Sequence, residues 1–481
     1  MAETHRVDEG RFVSNVIVLE VNELNIDVVT RMVDAGRLPS FKRLISANQL
    51  VCTTTDEEYA KLEPWIQWVT VHTGKTQQEH GAFNLSDGQC SNLRQSWDLL
   101  AEQGVKCGVV SPMNARRGDF KNGFFIPDPW STAGDTYPQR LSPIYRFLTE
   151  RVQSHNVSLE AGSSKVRFAL ELLRSGLPLR AVVDIASAYV RSRLDPKRKW
   201  RLAAELDRFL WRLTKTLRRK FGTQYTSLFL NSVAHYQHHY WTSHDAAHWS
   251  ARYPRLFASA NPVSEENLYI DDDPIAYGME IYDEILGEAI DEVGVDQVLV
   301  VTGLSQIPFE GYAEDSGFYL YRPLDHEAML ANVGVQCTQV APLMSRDMML
   351  FFSDEAQRQR ALVLLNSASI QGHDLFECSI QSDLRLFCKI KFSSYAEPGA
   401  MVVFKNTSKS PLRLADHFKL ITFKTGHHHP EGFVIAPQFA LKNIVAHGRM
   451  PLVKLPEVIF KMVGLGEAAS LANHLQSSNG T

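Results

Sequence analysis

Polar side chains recur at points of the chain where short apolar runs end, and many of them are imidazoles or carboxylates. Such groups bind divalent cations and transfer protons. The set is Glu20, Asn22, Glu23, Glu63, His72, Asn231, His235, His238, Ser305, Gln306, His428 and His429. If the apolar runs are parallel strands of one sheet, their carboxyl ends lie along the edge where such sheets bind ligands. The pattern therefore predicts a site for a metal ion, for an anion, or for both.

Glu63, His238 and His428 form the candidate metal site. Two imidazoles and one carboxylate suit a single Zn²⁺, Mn²⁺ or Fe²⁺ ion. Glu63 has other possible roles as a general base, as a covalent carboxylate nucleophile, or as an acid that stabilises a helix beginning at Pro64. The backbone N–H groups of that first turn could face an anion such as phosphate.

The remaining candidates divide between catalysis and substrate binding. Asn22 and His72 join Glu63 as candidate catalytic residues. The candidate substrate-binding residues are Glu20, Trp68, Asn231, His235, Gln306 and His429. The structural alternatives are a turn former for Asn22, a core position for Trp68, and a buried, hydrogen-bonded imidazole for His72.

Short β-branched runs alternate with helical patterns along most of the chain. The predicted strands are 15–21, 106–110, 226–230 and 297–301, and the predicted helices are 26–35, 39–45, 96–102 and 276–293. Strands that alternate with helices predict a parallel sheet covered by helices. The predicted fold class is a doubly wound, mostly parallel α/β fold with a helical insertion and a small α+β insertion.

Two stretches interrupt this alternation. Residues 138–220 are predicted to be a basic helical insertion, and residues 337–405 a small α+β insertion. The α/β core is then formed by 12–137, 221–336 and 406–468, followed by a flexible tail at 469–481. Residues 191–220 contain twelve Lys and Arg against three acidic residues. This segment is either a solvated helix packed on the core, or a cap that attracts an anionic substrate or an anionic membrane surface.

Composition limits the possible partners and the compartment. The 481 residues are 44% hydrophobic, which is enough for a sizeable core, and the net charge of −4 favours no specific nucleic acid. The six cysteines lack the short paired spacings of zinc or redox motifs, which indicates reduced thiols. The polar N-terminus has no signal-like apolar segment, and no run is long enough to cross a bilayer. These features predict a cytoplasmic protein.

Several segments resemble the alkaline-phosphatase superfamily, in its type I phosphodiesterase and nucleotide-pyrophosphatase branch. The opening VIVLEVNEL followed by GRLPSFKRL is similar to the family's first strand, helix and turn. Pro64, Trp68, Thr73-Gly74 and His80-Gly81 match the pattern of the family's nucleophile helix. Gly426-His427-His428-His429-Pro430-Glu431-Gly432 resembles the family's G-x-H-R-x-x-G, and His238 with Trp241 fits a weaker motif. The resemblance covers roughly residues 15–90, 224–310 and 418–437, and it implies a phosphate-handling enzyme.

The departures from the family pattern are equally specific. The first metal-binding Asp of the family falls on Asn22, and the nucleophile falls on or beside Glu63, where no hydroxyl stands. The Asp of the weaker motif falls on Ala234, and the family's Asp-His pair falls on Gly303-Leu304. His238 and His428 alone match family metal ligands, and two imidazoles do not hold two dications.

Two functions follow from these residues. The first is a phosphoesterase-like enzyme that hydrolyses or transfers a phosphate ester, a phosphodiester or a nucleotide-sugar-like substrate, with one divalent cation and a phosphorylated or anionic small-molecule substrate. The second is a pseudoenzyme that uses the altered cleft for binding or scaffolding. Polar groups retained at several separate strand ends favour the first, because burying them without a purpose is costly.

Overall fold

The computed structural model describes most of the chain. The described residues are 14–55, 62–85, 87–90, 92–119, 121–131, 134–153, 194–254, 270–309, 318–342, 346–381, 384–397, 399–405 and 408–465, with isolated positions between 179 and 191. Residues 154–178 of the predicted helical insertion and the whole predicted tail at 469–481 lie outside the described residues. No helix in the described ranges combines the length and the apolar character that a bilayer crossing requires.

Strands and helices alternate as the sequence predicts. The strands are β1 (Val16–Val21), β2 (Gln49–Thr54), β3 (Cys107–Val110), β4 (Gly123–Ile126), β5 (Tyr225–Leu230), β6 (Val298–Thr302), β7 (Ser305–Pro308), β8 (Phe318–Pro323), β9 (Gln339–Pro342), β10 (Met348–Phe351), β11 (Ala368–Ile370), β12 (His373–Asp374), β13 (Phe376–Ile380), β14 (Arg385–Ile390), β15 (Met401–Phe404), β16 (Leu412–Arg413), β17 (Phe418–Lys424), β18 (Gly426–His429), β19 (Gly432–Ala436) and β20 (Arg449–Pro451).

The described α-helices complete the framework. They are α1 (Ile26–Asp34), α2 (Pro39–Ala47), α3 (Pro64–Thr73), α4 (Gln77–His80), α5 (Asp87–Cys90), α6 (Ser96–Glu102), α7 (Ser142–Gln153), α8 (Leu202–Phe221), α9 (Ser232–His239), α10 (Trp241–His244), α11 (Ala246–Arg252), α12 (Pro274–Val293), α13 (His326–Val333), α14 (Glu355–Asn366), α15 (Leu414–His417), α16 (Gln438–Leu441) and α17 (Leu455–Val463).

The described fold divides into two compact units. The first unit is Met1–Gln237, Asp273–Ile307 and His428–Thr481, and the second unit is His238–Asp272 and Pro308–His427. The second unit is larger than the α+β insertion predicted at 337–405, because it also includes segments on both sides of that stretch. These segments belong to the second unit through contacts between residues that are distant in sequence. Local sequence patterns do not indicate such contacts.

An eight-stranded sheet forms the centre of the first unit. Its strand order is β20-β2-β19-β6-β1-β5-β3-β4. All neighbouring strands are parallel except β19, which runs antiparallel to both β2 and β6. The predicted α/β fold class with a mostly parallel sheet is therefore confirmed. β1, β3, β5 and β6 match the predicted strands closely, whereas β2, β4, β19 and β20 were not predicted as strands.

Local sequence explains where the helices near the central strands begin and end. The side chain of Asn25 caps α1 by accepting a hydrogen bond from the backbone N–H of Val28 at 3.0 Å. Pro64 is the first residue of α3, and Gly74 ends that helix in the left-handed conformation with φ of 67°. Gly432 begins β19 where a Cβ atom would lie 2.5 Å from the carbonyl oxygen of Thr302, so no side chain fits there.

The second unit contains antiparallel sheets. One four-stranded sheet has the order β13-β14-β10-β9, a second has the order β12-β11-β15-β16, and β8 pairs with β17. β10 overlaps the apolar segment MLFF at 349–352, β14 lies within LRLFCKIKF at 384–392, and β15 coincides with MVVF at 401–404.

Candidate active site

The turn after β1 holds Glu23 in an unusual backbone conformation. Its φ is 54°, in the left-handed region that glutamate rarely adopts. The side chain of Gln237, near the end of α9, fixes this turn with two hydrogen bonds. Its Nε2 donates to the Glu23 carbonyl at 2.5 Å, and its Oε1 accepts from the Asn25 N–H at 3.0 Å. Strained residues that persist are held by their surroundings and occur most often at functional sites.

The Glu23 carboxylate is buried, with 2% of the residue exposed. Asn22 Nδ2 donates to its Oε1 at 3.0 Å, and Gln306 Nε2 donates to its Oε2. His428 Nε2 lies 3.3 Å from the same Oε2 atom. Amide donors from the turn after β1 and from β7 therefore orient this carboxylate toward an imidazole.

His428, near the end of β18, lies between two carboxylates. Its Nδ1 is 2.9 Å from the carbonyl oxygen of Leu62 and 3.6 Å from the carboxylate of Glu63. Glu63 is the residue before α3, and 28% of its side chain is exposed. The first unit therefore contains a carboxylate–imidazole–carboxylate row formed by Glu23, His428 and Glu63, and we call these three residues the acidic row.

The chemistry of the acidic row fits a divalent cation. The Leu62 carbonyl accepts a hydrogen bond from Nδ1–H, and in that tautomer the Nε2 lone pair points toward Glu23. Metal-binding histidines commonly donate their other ring N–H to a carbonyl in this way. Imidazole nitrogen with carboxylate oxygen suits Zn²⁺, Mn²⁺ or Fe²⁺.

Asn22 has a connecting role in the structure. Besides its bond to Glu23, its Nδ2 donates to Asn231 Oδ1 at 2.8 Å, and its Oδ1 accepts from Trp68 Nε1 at 2.7 Å. Trp68 is fully buried and uses its N–H in this bond. Asn22 therefore joins the end of β1 to the end of β5 and to α3.

A second buried network involves Glu20 and His72. Glu20 Oε1 accepts from Ser227 Oγ at 2.5 Å, and its Oε2 lies 3.1 Å from His72 Nε2. His72 packs against the rings of Trp68 and Trp97 at centroid distances of 5.8 and 5.0 Å. These contacts place both residues between the sheet and α3, where Glu20 and His72 are each 2% exposed.

Asp207, on α8, anchors the loop between β5 and α9. Its carboxylate accepts hydrogen bonds from the backbone N–H of Ser232 at 2.8 Å, from the N–H of Asn231 at 3.2 Å, and from the Tyr282 hydroxyl at 3.0 Å. Burial raises the pKa of Asp207 to about 6, although these hydrogen bonds lower it. The predicted residue Asn231 is thus fixed through its backbone by Asp207 and through its side chain by Asn22.

The other predicted residues occupy varied positions. His235 lies on α9 with its side chain exposed, and His429 Nδ1 accepts from the Glu431 N–H at 3.3 Å. Gln306 contacts Glu23 and also donates to the Ala234 carbonyl at 3.1 Å. His238 is on α9 but belongs to the second unit.

Glu23 and Gln237 contribute to this site, although the sequence alone assigned neither of them a role. Glu23 is one of the polar residues after the first strand, but the family pattern draws attention to its neighbour Asn22. The available signal was a second carboxylate directly after a predicted strand. Its left-handed backbone conformation and its contact with His428 depend on tertiary structure.

Comparisons with known proteins identify similarity at the level of structure only. No protein-family model matches the chain, and neither does any curated protein. The chain is similar to the phosphonoacetate hydrolase from Sinorhizobium meliloti 1021 in complex with phosphonoformate, with 11% identity, a TM-score of 0.41, and coverage of 95% of this chain and 96% of that one. The same hydrolase in complex with phosphonoacetate gives the same values.

Another similar structure is an inactive variant of murine ectonucleotide pyrophosphatase/phosphodiesterase 5 in complex with AMP. It shows 9% identity and a TM-score of 0.39 over 94% of this chain and 95% of that one.

Proposed function

We propose that this chain is a divergent phosphoesterase-like enzyme that uses one divalent cation at the acidic row. The observation that carries the proposal is the buried Glu23 carboxylate, held at φ 54° and 3.3 Å from His428 Nε2. Holding a glutamate in this conformation and burying its charge both cost free energy. A bound cation would offset the cost of the buried charge and explain why the arrangement exists.

Glu23 and His428 Nε2 would hold the cation, and we propose His238 as a further ligand. Glu63 lies beside Nδ1, on the other side of the imidazole, and would serve as a base. Gln306 Nε2 contacts both the Glu23 carboxylate and the carbonyl of Ala234 on α9. His238 follows Ala234 by one helical turn, and residues four apart lie on the same face of a helix. The cation would supply Lewis acidity toward a phosphoryl oxygen.

The proposed substrates are phosphate esters, phosphodiesters or nucleotide-sugar-like molecules, cleaved by hydrolysis or by transfer. Such substrates are anions, and carboxylates repel anions unless a cation intervenes. Glu63 is the most exposed member of the acidic row, so it is placed to act as a base toward a bound molecule. Four further side chains would stabilise the site from inside the protein, because their contacts are with buried protein groups. They belong to Asn22, Glu20, His72 and Trp68.

A second candidate function is binding without catalysis. The favouring observation is that Asn22, which stands where the family has a metal-binding Asp, is bonded to Trp68, Asn231 and Glu23. A pseudoenzyme would still bind a phosphorylated ligand but would not turn it over. In either case we expect the protein to act in the cytoplasm, as its sequence predicts.

Metal analysis of the purified protein tests the proposal. We expect about one Zn²⁺, Mn²⁺ or Fe²⁺ per chain, as a single-site arrangement requires. His428→Ala and His238→Ala should lower the metal content, whereas His373→Ala, an exposed histidine in the second unit, should not. Unchanged metal content in folded His428→Ala would overturn the proposed site.

Activity assays separate the two candidate functions. The metal-loaded protein would be assayed with p-nitrophenyl phosphate, bis-p-nitrophenyl phosphate and a nucleotide sugar. Metal-dependent turnover of any of these that is lost in His428→Ala supports the enzyme. Saturable binding of a phosphorylated ligand without turnover supports the pseudoenzyme instead.

A further inference from the structure

Two cysteines of the second unit face each other across neighbouring antiparallel strands. Cys378 is on β13 and Cys388 is on β14, and their Cα atoms are direct partners in the strand register. Their sulfur atoms are 3.0 Å apart. Directly opposed residues in antiparallel strands have Cα atoms about 4.5–5.5 Å apart, which falls within the range that disulfides bridge.

Neighbouring elements hold both cysteines in this position. The Asn366 side chain, at the end of α14, accepts from the Cys378 N–H at 2.8 Å and donates to the Cys378 carbonyl at 3.3 Å. On its other side, β14 pairs with β10, where Cys388 is opposite Met348. The two thiols therefore meet because the backbone on each side is fixed.

Three further cysteines have described side chains, and their surroundings are different. Cys107 is buried, and its sulfur donates to the backbone carbonyls of Trp97 and Val105. Cys52 donates to the Thr53 carbonyl, and Cys337 is partly exposed. A sulfur–sulfur contact thus distinguishes Cys378 and Cys388 within the described part of the chain.

We propose that Cys378 and Cys388 are a site of reversible oxidation that forms an intramolecular disulfide. With hydrogen peroxide as the oxidant, Cys378 would be oxidised first, because it is 8% exposed and Cys388 is fully buried. The Cys378 thiol reduces the peroxide to water and becomes a sulfenic acid. The Cys388 sulfur then forms the S–S bond and displaces the sulfenic oxygen as a second water molecule, so one peroxide consumes both thiol protons.

The disulfide would join an edge strand to its inner neighbour, since β13 is at the edge of the β13-β14-β10-β9 sheet. Burial raises the pKa of the Cys388 thiol well above its usual range, so little thiolate is available at neutral pH. Oxidation should therefore be slower than at an exposed thiolate, and a high pH should accelerate it. This inference does not depend on the proposed function of the first unit.

The test uses the full-length folded protein treated with hydrogen peroxide, then with N-ethylmaleimide, and analysed by mass spectrometry. Arg385 lies between the two cysteines, so trypsin separates them and a linked peptide pair identifies the bond. We expect the oxidised chain to carry two fewer maleimide groups and to yield the Cys378–Cys388 peptide pair. Dithiothreitol should restore both thiols.

Variants provide the controls. Cys388→Ser should abolish the linked pair, and Cys107→Ser, which changes a buried thiol elsewhere, should leave it intact. If Cys388→Ser fails to fold by circular dichroism, Cys378→Ser at the strand edge serves instead. A linked pair that forms only in urea and never in the folded protein, or sulfinic acid at Cys378 without cross-linking, would overturn the proposal.

Discussion

Two groups of charged side chains in the first unit have opposite character. Between α8 and α12, cations and carboxylates pair along the helix surfaces at N–O distances of 2.5–2.8 Å. The pairs are Arg208–Glu284, Lys215–Glu288 and Arg218–Glu292. In the acidic row, carboxylates face an imidazole, and a strained backbone places one of them there. The helix pairs balance their own charges, whereas the acidic row concentrates negative charge.

The pKa values of two carboxyl groups illustrate the same difference. Burial raises the pKa of Glu288, but hydrogen bonds from Lys215 and Trp211 outweigh it and hold the pKa below its ordinary value. Burial raises the pKa of Asp128, which follows β4, to about 7, although backbone hydrogen bonds from Trp130 and Asn114 lower it. A carboxyl group beside a cationic side chain stays ionised, as Glu288 does. A buried carboxyl group without such a neighbour binds a proton or a metal ion more readily, as Asp128 does.

The comparison also bears on the basic segment at 191–220. Counted along the sequence, its cations are opposed by three local acids, but α12 supplies further carboxylates in space. This pairing supports the alternative of a helix packed on the core. The proposal of an anionic membrane surface then depends on the cations outside these pairs.

Replacing Glu23 should have the largest effect. Glu23→Gln preserves size but removes the negative charge beside His428, so we expect metal content close to zero and a loss of activity well over about 100-fold. Ligand loss should exceed the roughly 10- to 100-fold effect of residues that only orient ligands. Plasma mass spectrometry and steady-state kinetics would measure both quantities. Glu280→Gln, at a surface ion pair, is the control, and equal losses in the two variants would contradict the assignment.

Asp128→Asn tests the consequence of a buried carboxyl group without a cation. Because the pKa of Asp128 is raised in the folded wild-type protein, this carboxyl group stabilises the fold fully below about pH 4. That stabilisation is lost as the pH rises through about 7. A shift of roughly 3 units corresponds to an upper limit on the order of 4 kcal/mol. Relative to the wild type, the variant should therefore gain unfolding free energy between pH 4 and pH 8.

Urea unfolding followed by tryptophan fluorescence at the two pH values would measure this gain. His80 has the opposite behaviour, because burial lowers its pKa to about 4 and its contribution is lost as the pH falls from 6.5 through that value. That contribution is common to variant and wild type, so it cancels in the difference. A difference that is independent of pH would show that Asp128 ionises normally in the folded protein.

Gln306→Leu should have an intermediate effect by removing an amide that orients Glu23. We expect metal affinity to fall by about 10- to 100-fold with the fold retained. Competition with a chelating dye would measure the affinity, and Gln381→Leu in the second unit is the matched control. Gln306→Glu should weaken binding further if repulsion turns Glu23 away, and wild-type affinity in both variants would remove Gln306 from the site.

Arg208→Ala should have the smallest effect. Arg208 bonds Glu284, which is 60% exposed, and also Glu205, which is 22% exposed, so solvent screens these pairs in part and we expect a loss of about 1 kcal/mol. Arg218→Ala should cost more, because Arg218 and Glu292 are 9% and 11% exposed. Neither substitution should alter metal content. A drop in metal content for Arg208→Ala would mean that the helix pairs and the acidic row are energetically coupled.

The central strands were predictable because their apolar runs and the intervening helices have distinct periodicities. β19 was not, because a strand that enters a parallel sheet in the antiparallel direction depends on pairing with β2 and β6, which are distant in sequence. The carboxyl edge of the sheet was predictable in the same way as the strands. The role of Glu23 in the acidic row was not predictable. The direction of its side chain results from the positive φ of its backbone and from hydrogen bonds with Gln237 and Gln306.

The glycine that opens β19 has a consequence for how this site can change. Gly432 follows His428 by four residues, and a methyl group there would meet the backbone of β6. Even alanine would shift the start of the strand and, with it, the turn that leads back to the imidazole. The position of the His428 side chain therefore depends on the absence of a side chain at Gly432. A substitution there would move the imidazole without changing any group that could take part in the reaction.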